Sequence, residues 1–368
     1  MEPETIYNIS IILLFSGLFL LLTGFLLNKR RVSHLILIFG WIIFGIFWLM
    51  QMPHFMELGD SFNAILCLLG FILFLYLALH ESFNFKWNEK LYSLNYIAGV
   101  VAVAGIFYYS IEKIEPLAKG LIYIVASQSV WILNLFGFDA SIGNFNYITS
   151  THEFSLHIIG TPISIILACT GIQSIAIFVG ILVITKSDRN LWVPWAKKLL
   201  KKSRPKEMMK SRLRSWLWQS KKRRIRKVLN MTDRTRFLRA FVYTIPIIYI
   251  LNVFRNVLII HGTVNEVLGP NTFYIAHHQL SKYLSLVVLI IMVFIVFELL
   301  PECLEGIMGL IDLPKRTSRG MVEDGFIKIK PKEPEAQAEK ERPAKKSTAK
   351  LKNLKKAPKD EKTSPKKS

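Results

Sequence analysis

The chain has 368 residues, of which 52% are hydrophobic, and its mean hydropathy is +0.35. This average is too apolar for a soluble globular protein and is typical of a polytopic membrane protein. A net charge of +21 would suggest a nucleic-acid partner for a soluble chain. Here, however, most Lys and Arg residues lie in residues 186–239 and after Lys315, directly behind apolar segments. Cytoplasmic flanks of membrane proteins collect basic residues in this way, so we expect no nucleic-acid partner.

Seven apolar segments are long enough to cross a bilayer, which takes about 20 helical residues. They lie at residues 6–27, 34–52, 62–80, 93–110, 162–185, 238–260 and 280–300. The first segment lacks the basic cluster that begins a signal peptide, so we expect it to remain in the mature chain as a span. An eighth candidate, residues 117–136, is interrupted by Lys119 and by several uncharged polar residues.

The distribution of charge decides how the eighth candidate is interpreted. If residues 117–136 do not cross, the Lys29-Arg30-Arg31 cluster, the 186–237 loop and the C-terminal tail share one side of the membrane. The opposite side then carries acidic loop residues, namely Glu57, Asp60, Glu112, Glu115, Asp139, Glu153 and Glu266. The positive-inside rule therefore favours a surface helix at 117–136, an external N-terminus and a cytoplasmic C-terminus.

The predicted fold is an all-α polytopic membrane protein of the cell membrane, with about seven (seven or eight) transmembrane helices. Residues 141–160 nearly alternate between apolar and polar types, which predicts a short extracellular strand or hairpin. Pro162 is then expected to open the helix that carries Cys169. The basic, Trp-containing loop at 186–236 is interpreted as a cytoplasmic amphipathic segment on anionic lipid. From about Lys328 the composition predicts a disordered Lys-rich tail.

Three reactive side chains on separate predicted helices fall in one outer layer of the membrane. A helical rise of 1.5 Å per residue places Cys169 roughly 10 Å and Arg255 about 9 Å below the outer surface, with His277 at the mouth of the last span. An arginine in lipid costs roughly 2.5–3.5 kcal/mol, which favours a functional role for Arg255, although it could also snorkel to the interface. Cys67 and Cys303 are interpreted as packing residues, and no disulfide framework is expected.

These three groups suit acyl transfer through a thioester. Arg255 could stabilise the thiolate of Cys169 or the oxyanion of a tetrahedral intermediate. His277 could take the thiol proton and later protonate a leaving amine, with His278, His261, His157 and His152 as alternatives. The adjacent histidines lack a partner carboxylate at helical spacing, so we predict neither a metal site nor a cofactor.

Three motifs together resemble the exosortase/archaeosortase family, and its archaeal branch in particular. They are Ala168-Cys169-Thr170-Gly171-Ile172-Gln173-Ser174, the segment from Pro246 to Asn256 with Asn252 and Arg255, and Ala276-His277. The resemblance covers the membrane core from about residue 100 to 300. The long basic insertion departs from the family pattern, as does Ser281, where many relatives have glycine.

The resemblance implies a membrane-embedded cysteine peptidase and transpeptidase. Its substrates would be exported surface proteins with a C-terminal sorting signal and transmembrane tail, and in the archaeal branch the new C-terminus is joined to a membrane lipid. By position, Cys169 matches the nucleophile and Arg255 the arginine. His277 matches the third group, which is histidine or arginine across the family.

This interpretation divides the chain into four parts. The N-terminal transmembrane helices occupy residues 1–112, and an extracellular surface helix and loop occupy residues 113–161. A catalytic transmembrane core follows at 162–312, with the basic cytoplasmic insertion at 186–237 inside it. The disordered cytoplasmic tail occupies 313–368.

Two hypotheses from other functional classes remain open. In a transporter or lipid-handling membrane protein, Arg255 would bind an anionic group and Cys169 would merely pack, although the inverted repeats common in transporters are not visible. In a scaffold or sensor, the basic loop and tail would gather cytoplasmic partners. Such a protein would depend on residues 327–368 and not on Cys169.

Overall fold

The computed structural model describes residues 3–27, 30–57, 59–89, 91–148, 153–185 and 212–316, together with residues 193, 197 and 200. Most of the predicted basic insertion before residue 212 lies outside these described residues. The predicted disordered tail after residue 316 lies outside them as well.

Helices dominate the described residues. They are α1 (Pro3–Leu26), α2 (Arg30–Glu57), α3 (Ser61–Trp87), α4 (Tyr92–Lys113), α5 (Glu115–Leu135), α6 (Ile172–Ile184), α7 (Arg212–Leu229), α8 (Asp233–Val242), α9 (Ile245–Val264), α10 (Ser281–Leu299) and α11 (Pro301–Asp312). Two 3-10 turns, Leu167–Thr170 and Leu313–Lys315, and a π-helix, Tyr274–Leu280, complete the helical structure. The strands are β1 (Ser141–Ile148), β2 (Glu153–Ile159) and β3 (Ser164–Ile166).

Six segments of the described chain are long and apolar enough to span a membrane: α1 to α5 and the Asp233–Val264 segment formed by α8 and α9. Helices α10 and α11 are bent by 113° at the break between them and would make a seventh span if they cross together. The chain is therefore a polytopic, mainly α-helical membrane protein with one small sheet, as predicted. Five of the predicted segments, 6–27, 34–52, 62–80, 93–110 and 238–260, coincide with these helices.

The predicted helical span at 162–185 was wrong in its first half. Pro162 does not open a helix, because Ser164–Ile166 pairs with β2 as the third strand of a sheet. Helix α6 begins only at Ile172 and has 13 residues, so its length is about 20 Å. This is shorter than the hydrocarbon core of a bilayer, which is about 30 Å thick.

The sheet has the order β1-β2-β3, and both strand pairs are antiparallel. Its presence confirms the strand structure predicted for residues 141–160. Leu156, Ile158 and Ile165 are almost fully buried, and they share one hydrophobic core with Ile122 and Leu133 of α5. The sheet is thus fixed on α5 by apolar packing.

Helix α6 is held tightly against α4. A Cβ atom at Gly180 would lie 2.6 Å from the backbone oxygen of Val100, so a larger residue could not be accommodated at this distance. At the C-terminal end of α6, the side chain of Thr185 is hydrogen bonded to the Tyr96 hydroxyl at 2.9 Å. Near the start of α6, the Gln173 amide donates to the Tyr108 hydroxyl at 3.2 Å. Helix α6 therefore begins beside the last turns of α4.

Helix α5 has the length and hydropathy of a span, whereas the sequence predicted a surface helix at 117–136. It follows α4 after a single residue. Lys113, the last residue of α4, donates to the Tyr7 hydroxyl near the start of α1 at 3.3 Å. Beyond its other end, Phe138 packs edge-on against His261 near the end of α9, with ring centroids 5.2 Å apart. Between these two contacts, the Tyr249 hydroxyl near the start of α9 donates to Gln128 of α5 at 2.7 Å. The surface position of α5 stays a prediction.

Candidate active site

Cys169 lies in the 3-10 turn Leu167–Thr170, between β3 and α6. The Thr170 hydroxyl donates to the Leu167 carbonyl at 2.7 Å and closes this turn. Gly171 follows with φ +75°, a left-handed conformation that suits glycine, and the chain then enters α6. Cys169 is only 9% exposed. Its thiol is therefore held on a short turn at the start of a helix.

Two asparagines of α9 fix the backbone of this cysteine. The side-chain amide of Asn256 donates to the Cys169 carbonyl at 2.8 Å, and the amide of Asn252 donates to the same oxygen. Both asparagines are buried, and their spacing of four residues puts them on one face of the helix. A Cβ atom at Gly171 would lie 3.0 Å from Cγ of Asn252. Glycine is thus needed there for both conformation and space.

Arg255 lies on the same helix, between the two asparagines in sequence. Its Nη2 atom donates to Oδ1 of Asn256 at 3.4 Å. Its guanidinium group interacts electrostatically with the Cys169 thiol. Its Nε atom is buried and, within the part of the chain that the structure describes, has no hydrogen-bond partner. The position of this charge suits stabilisation of an anion on or next to the sulfur.

His277 lies on a third element, the π-helix Tyr274–Leu280. Its ring stacks on Phe273, with centroids 5.2 Å apart and an interplanar angle of 15°. A cavity of about 30 Å³ is lined by Cys169, Asn256 and His277, together with Ile163, Ser164, Ile165, Ile259, Ile260 and Phe273. π-Helical turns often occur at functional sites. The side chain of His278 lies outside the described residues.

The structure therefore brings together Cys169, Arg255 and His277, which the sequence placed in one layer of the membrane. No role was predicted for Asn252 and Asn256, although two asparagines four residues apart in an apolar helix are a usable signal, because buried amides need partners. Cys67 and Cys303 are buried elsewhere and are free thiols. In the described ranges, no cluster of three or more His, Cys, Asp or Glu residues could hold a metal ion.

Glu153, the first residue of β2, is a half-buried acidic residue that the sequence did not single out. The nearby groups that act on Glu153 itself are Glu112 and Lys113 at the end of α4, and these two form an ion pair of 2.7 Å. The carboxyl group of Glu153 is thus influenced by both charges of this pair.

The chain is similar to Archaeosortase A of Haloferax volcanii. The two sequences are 24% identical over 315 residues, which cover 75% of this chain and 84% of that protein. No family model matches the chain, and no solved structure matches it. The similarity to Archaeosortase A supports the family resemblance that the three motifs carry.

Proposed function

We propose that this chain is a membrane-embedded cysteine transpeptidase of the exosortase/archaeosortase type, which cleaves the C-terminal sorting signals of exported surface proteins. The observation that carries the proposal is the convergence of Cys169, Arg255 and His277, from three separate elements, in a chain similar to Archaeosortase A. The site lies in the proposed catalytic core, residues 162–312. Residues 1–112 supply the N-terminal helices, residues 113–161 cover one end of the bundle, and residues 313–368 form the cytoplasmic tail.

In the first step, Sγ of Cys169 attacks the carbonyl carbon of the scissile peptide bond. The thiolate is the reactive form, and the positive charge of Arg255 stabilises it. The same charge stabilises the oxyanion that develops on the substrate carbonyl. The amides of Asn252 and Asn256 hold the cysteine backbone in place during this attack, because both donate to its carbonyl oxygen.

In the second step, the tetrahedral intermediate collapses and the peptide C–N bond breaks. His277, which shares a cavity with the thiol, takes the thiol proton before the attack and now delivers it to the leaving amine. The product is a thioester between Cys169 and the new C-terminus of the exported protein. A second nucleophile, which we propose is a membrane lipid, then takes over the acyl group and frees the cysteine.

The site is proposed to lie near the extracellular face of the cell membrane, with the C-terminal tail in the cytoplasm. This orientation rests on the positive-inside rule. It also suits the substrates, since the sorting signal of an exported protein precedes a transmembrane tail that reaches the enzyme within the membrane.

The test is to express Cys169→Ala and Cys169→Ser in cells and to follow the size and membrane attachment of exported proteins with C-terminal transmembrane tails. We expect uncleaved substrates to accumulate with both variants. Cys67→Ala is the matched control, because Cys67 is also a buried free thiol but lies in α3. Unchanged processing with Cys169→Ala would contradict the proposal and favour a transporter or lipid-handling protein in which Arg255 binds an anionic group.

A further inference from the structure

The last turns of α7 are attached to the protein by an apolar face. Val228 is buried in the main hydrophobic core, and Ile225 and Leu229 pack against that core. These three residues have the i, i+3, i+4 spacing of one helix face. Arg224 adds an ion pair of 2.7 Å with Glu298, in the last turn of α10. Helix α7 therefore lies at the end of the bundle where α10 ends.

The other face of α7 is basic. Arg223, Arg226 and Lys227 are exposed, and their spacing of three and four residues puts them in one stripe along the helix. With 3.6 residues per turn, this basic stripe lies roughly opposite the apolar face. In the part of the chain that the structure describes, none of the three side chains has a hydrogen-bond or ion-pair partner. Three positive charges are thus available to a ligand outside the protein.

The next helix shows where the membrane surface lies at this end of the bundle. Residues 230–232 link α7 to α8, and α8 is the first part of the candidate span Asp233–Val264. Arg234 is exposed, and Leu238 and Phe241, on the same face of α8, are exposed apolar residues. Leu238 lies about 6 Å beyond Arg234 along the helix axis. Exposed apolar side chains of a span face lipid, so Arg234 lies where the headgroups begin.

The arrangement fits the phosphate groups of anionic lipids. Lys and Arg residues close to a bilayer surface are attracted to anionic headgroups, and a guanidinium group can donate two parallel hydrogen bonds to phosphate oxygens. Nucleic acids bind to similar charges. A polynucleotide, however, would gain nothing from the exposed apolar residues beside Arg234, whereas lipid acyl chains cover them. The surface therefore favours a lipid over a nucleic acid.

We propose that Arg223, Arg226, Lys227 and Arg234 form a binding site for the phosphate groups of anionic phospholipids. The bound headgroups fix α7 and the start of α8 at the membrane surface. The site contains no residue of the proposed active site, so this inference and the proposed function can fail independently.

The test measures the binding of phosphatidylglycerol to the full-length protein in neutral detergent by native mass spectrometry. Phosphatidylcholine, whose headgroup has no net charge, is the reference lipid. One variant combines Arg223→Gln, Arg226→Gln and Lys227→Gln, and a second combines Arg223→Lys, Arg226→Lys and Lys227→Arg, which keeps all three charges. Lys119→Gln is the control for loss of a positive charge elsewhere, because Lys119 pairs with Glu115 on α5.

We expect the affinity for phosphatidylglycerol to fall by about 5-fold for each charge removed, and so by about 100-fold in the neutral triple variant. Arg234→Gln alone should give a fall of about 5-fold. The charge-preserving variant and Lys119→Gln should bind as wild type does, and all binding should weaken as salt is added. Equal affinity of wild type and the neutral triple variant for phosphatidylglycerol overturns the inference. Equal affinity of wild type for the two lipids overturns it as well.

Two competitors test the choice of ligand. A short single-stranded DNA and inorganic phosphate are each added to wild type that carries bound phosphatidylglycerol, at the same concentration as the lipid. We expect neither to displace the lipid. Displacement by the DNA would show that the stripe is a nucleic-acid surface, and displacement by inorganic phosphate would show that it recognises free phosphate. Either result overturns the assignment to a lipid.

Discussion

The side-chain amide of Asn256 donates a hydrogen bond of 2.8 Å to the backbone carbonyl of Cys169, although 87 positions separate the two residues in the chain. We expect Asn256→Ala to weaken this support by about 0.5–1.5 kcal/mol, the net contribution of one hydrogen bond, because Asn252 still donates to the same carbonyl. If that free energy is lost from the transition state, processing slows by about 2- to 13-fold. The measurement is the rate at which exported substrates lose their C-terminal tails.

Asn265→Ala is the matched control for this variant. The amide of Asn265 also donates to a backbone carbonyl, that of His261, at 2.9 Å, but this residue is exposed and lies at the end of the same helix. Its replacement should leave processing near the wild-type rate. Equal effects of the two substitutions would show that Asn256 supports the helix in general and not the cysteine turn.

A second prediction concerns the charge of Arg255. Arg255→Gln should slow processing by about 100- to 1,000-fold, as is typical when one stabilising donor is removed from an oxyanion site. It should also slow alkylation of Cys169 by N-ethylmaleimide, because the thiolate loses its neighbouring cation. Arg255→Lys keeps the charge but not the planar donor group, so we expect an intermediate effect.

Two other cysteines and one other arginine of the chain serve as controls for the alkylation experiment. Cys67 and Cys303 are buried thiols in other parts of the protein, and their labelling should not respond to Arg255. Arg224→Gln removes an exposed arginine that pairs with Glu298, and it should leave Cys169 labelling unchanged. Altered labelling at all three cysteines, in particular a rise at Cys67 and Cys303, would indicate a general change in folding, contrary to a local role for Arg255.

The sequence predicted the long helices well because about 20 consecutive apolar residues have few alternatives to crossing the membrane. It failed at residues 162–171, where an apolar run rich in isoleucine fits either a buried strand or a helix. Only the pairing of Ser164 with His157 and of Ile166 with Ser155 decides this choice. That pairing depends on tertiary contacts, which hydropathy does not contain.

In the candidate site, too, the reactive side chains could be predicted from the sequence, whereas their contacts with distant residues could not. Cys169, Arg255 and His277 could be singled out because a thiol, a charge and an imidazole are conspicuous in apolar segments. The role of Asn252 depends on a carbonyl 83 positions away, which no local pattern reveals. Glu153 looked like one acidic loop residue among several, whereas in the structure it is the first residue of β2.

A third prediction tests the tight contact at the cysteine turn. Gly171→Ala should destabilise the protein by about 1–2 kcal/mol, because φ is +75° there. It should also reduce processing, since the added Cβ would lie 3.0 Å from Cγ of Asn252 and displace that amide from the Cys169 carbonyl. The measurements are thermal unfolding in detergent and substrate cleavage.

Gly137→Ala separates these two effects. Gly137 also has a positive φ, +86°, but a Cβ atom there would meet nothing within 4 Å. We expect Gly137→Ala to lower stability to a similar extent while processing continues normally. If both variants process substrates equally, the contact between Gly171 and Asn252 has no influence on the cysteine.

A fourth prediction follows from the raised pKa of Glu153. Burial is the main cause, the Glu112 carboxylate adds to it, and Lys113 opposes it. The folded protein therefore binds a proton at Glu153 more tightly than the unfolded chain does. Between the ordinary pKa of 4.5 and the raised value, the folded state holds more protons, so the free energy of unfolding falls as pH rises through this window.

Glu153→Gln removes this titration and should flatten that part of the pH profile. Below the ordinary pKa, Glu153 is neutral in both states, so the variant and wild type should differ by a constant amount. As the pH rises above the window, the variant should gain stability relative to wild type, because the wild type must then bury a charged carboxylate. Thermal unfolding across this pH range, with Glu115→Gln as the exposed control, measures the difference. A constant difference at every pH would mean that Glu153 has its ordinary pKa in the folded protein.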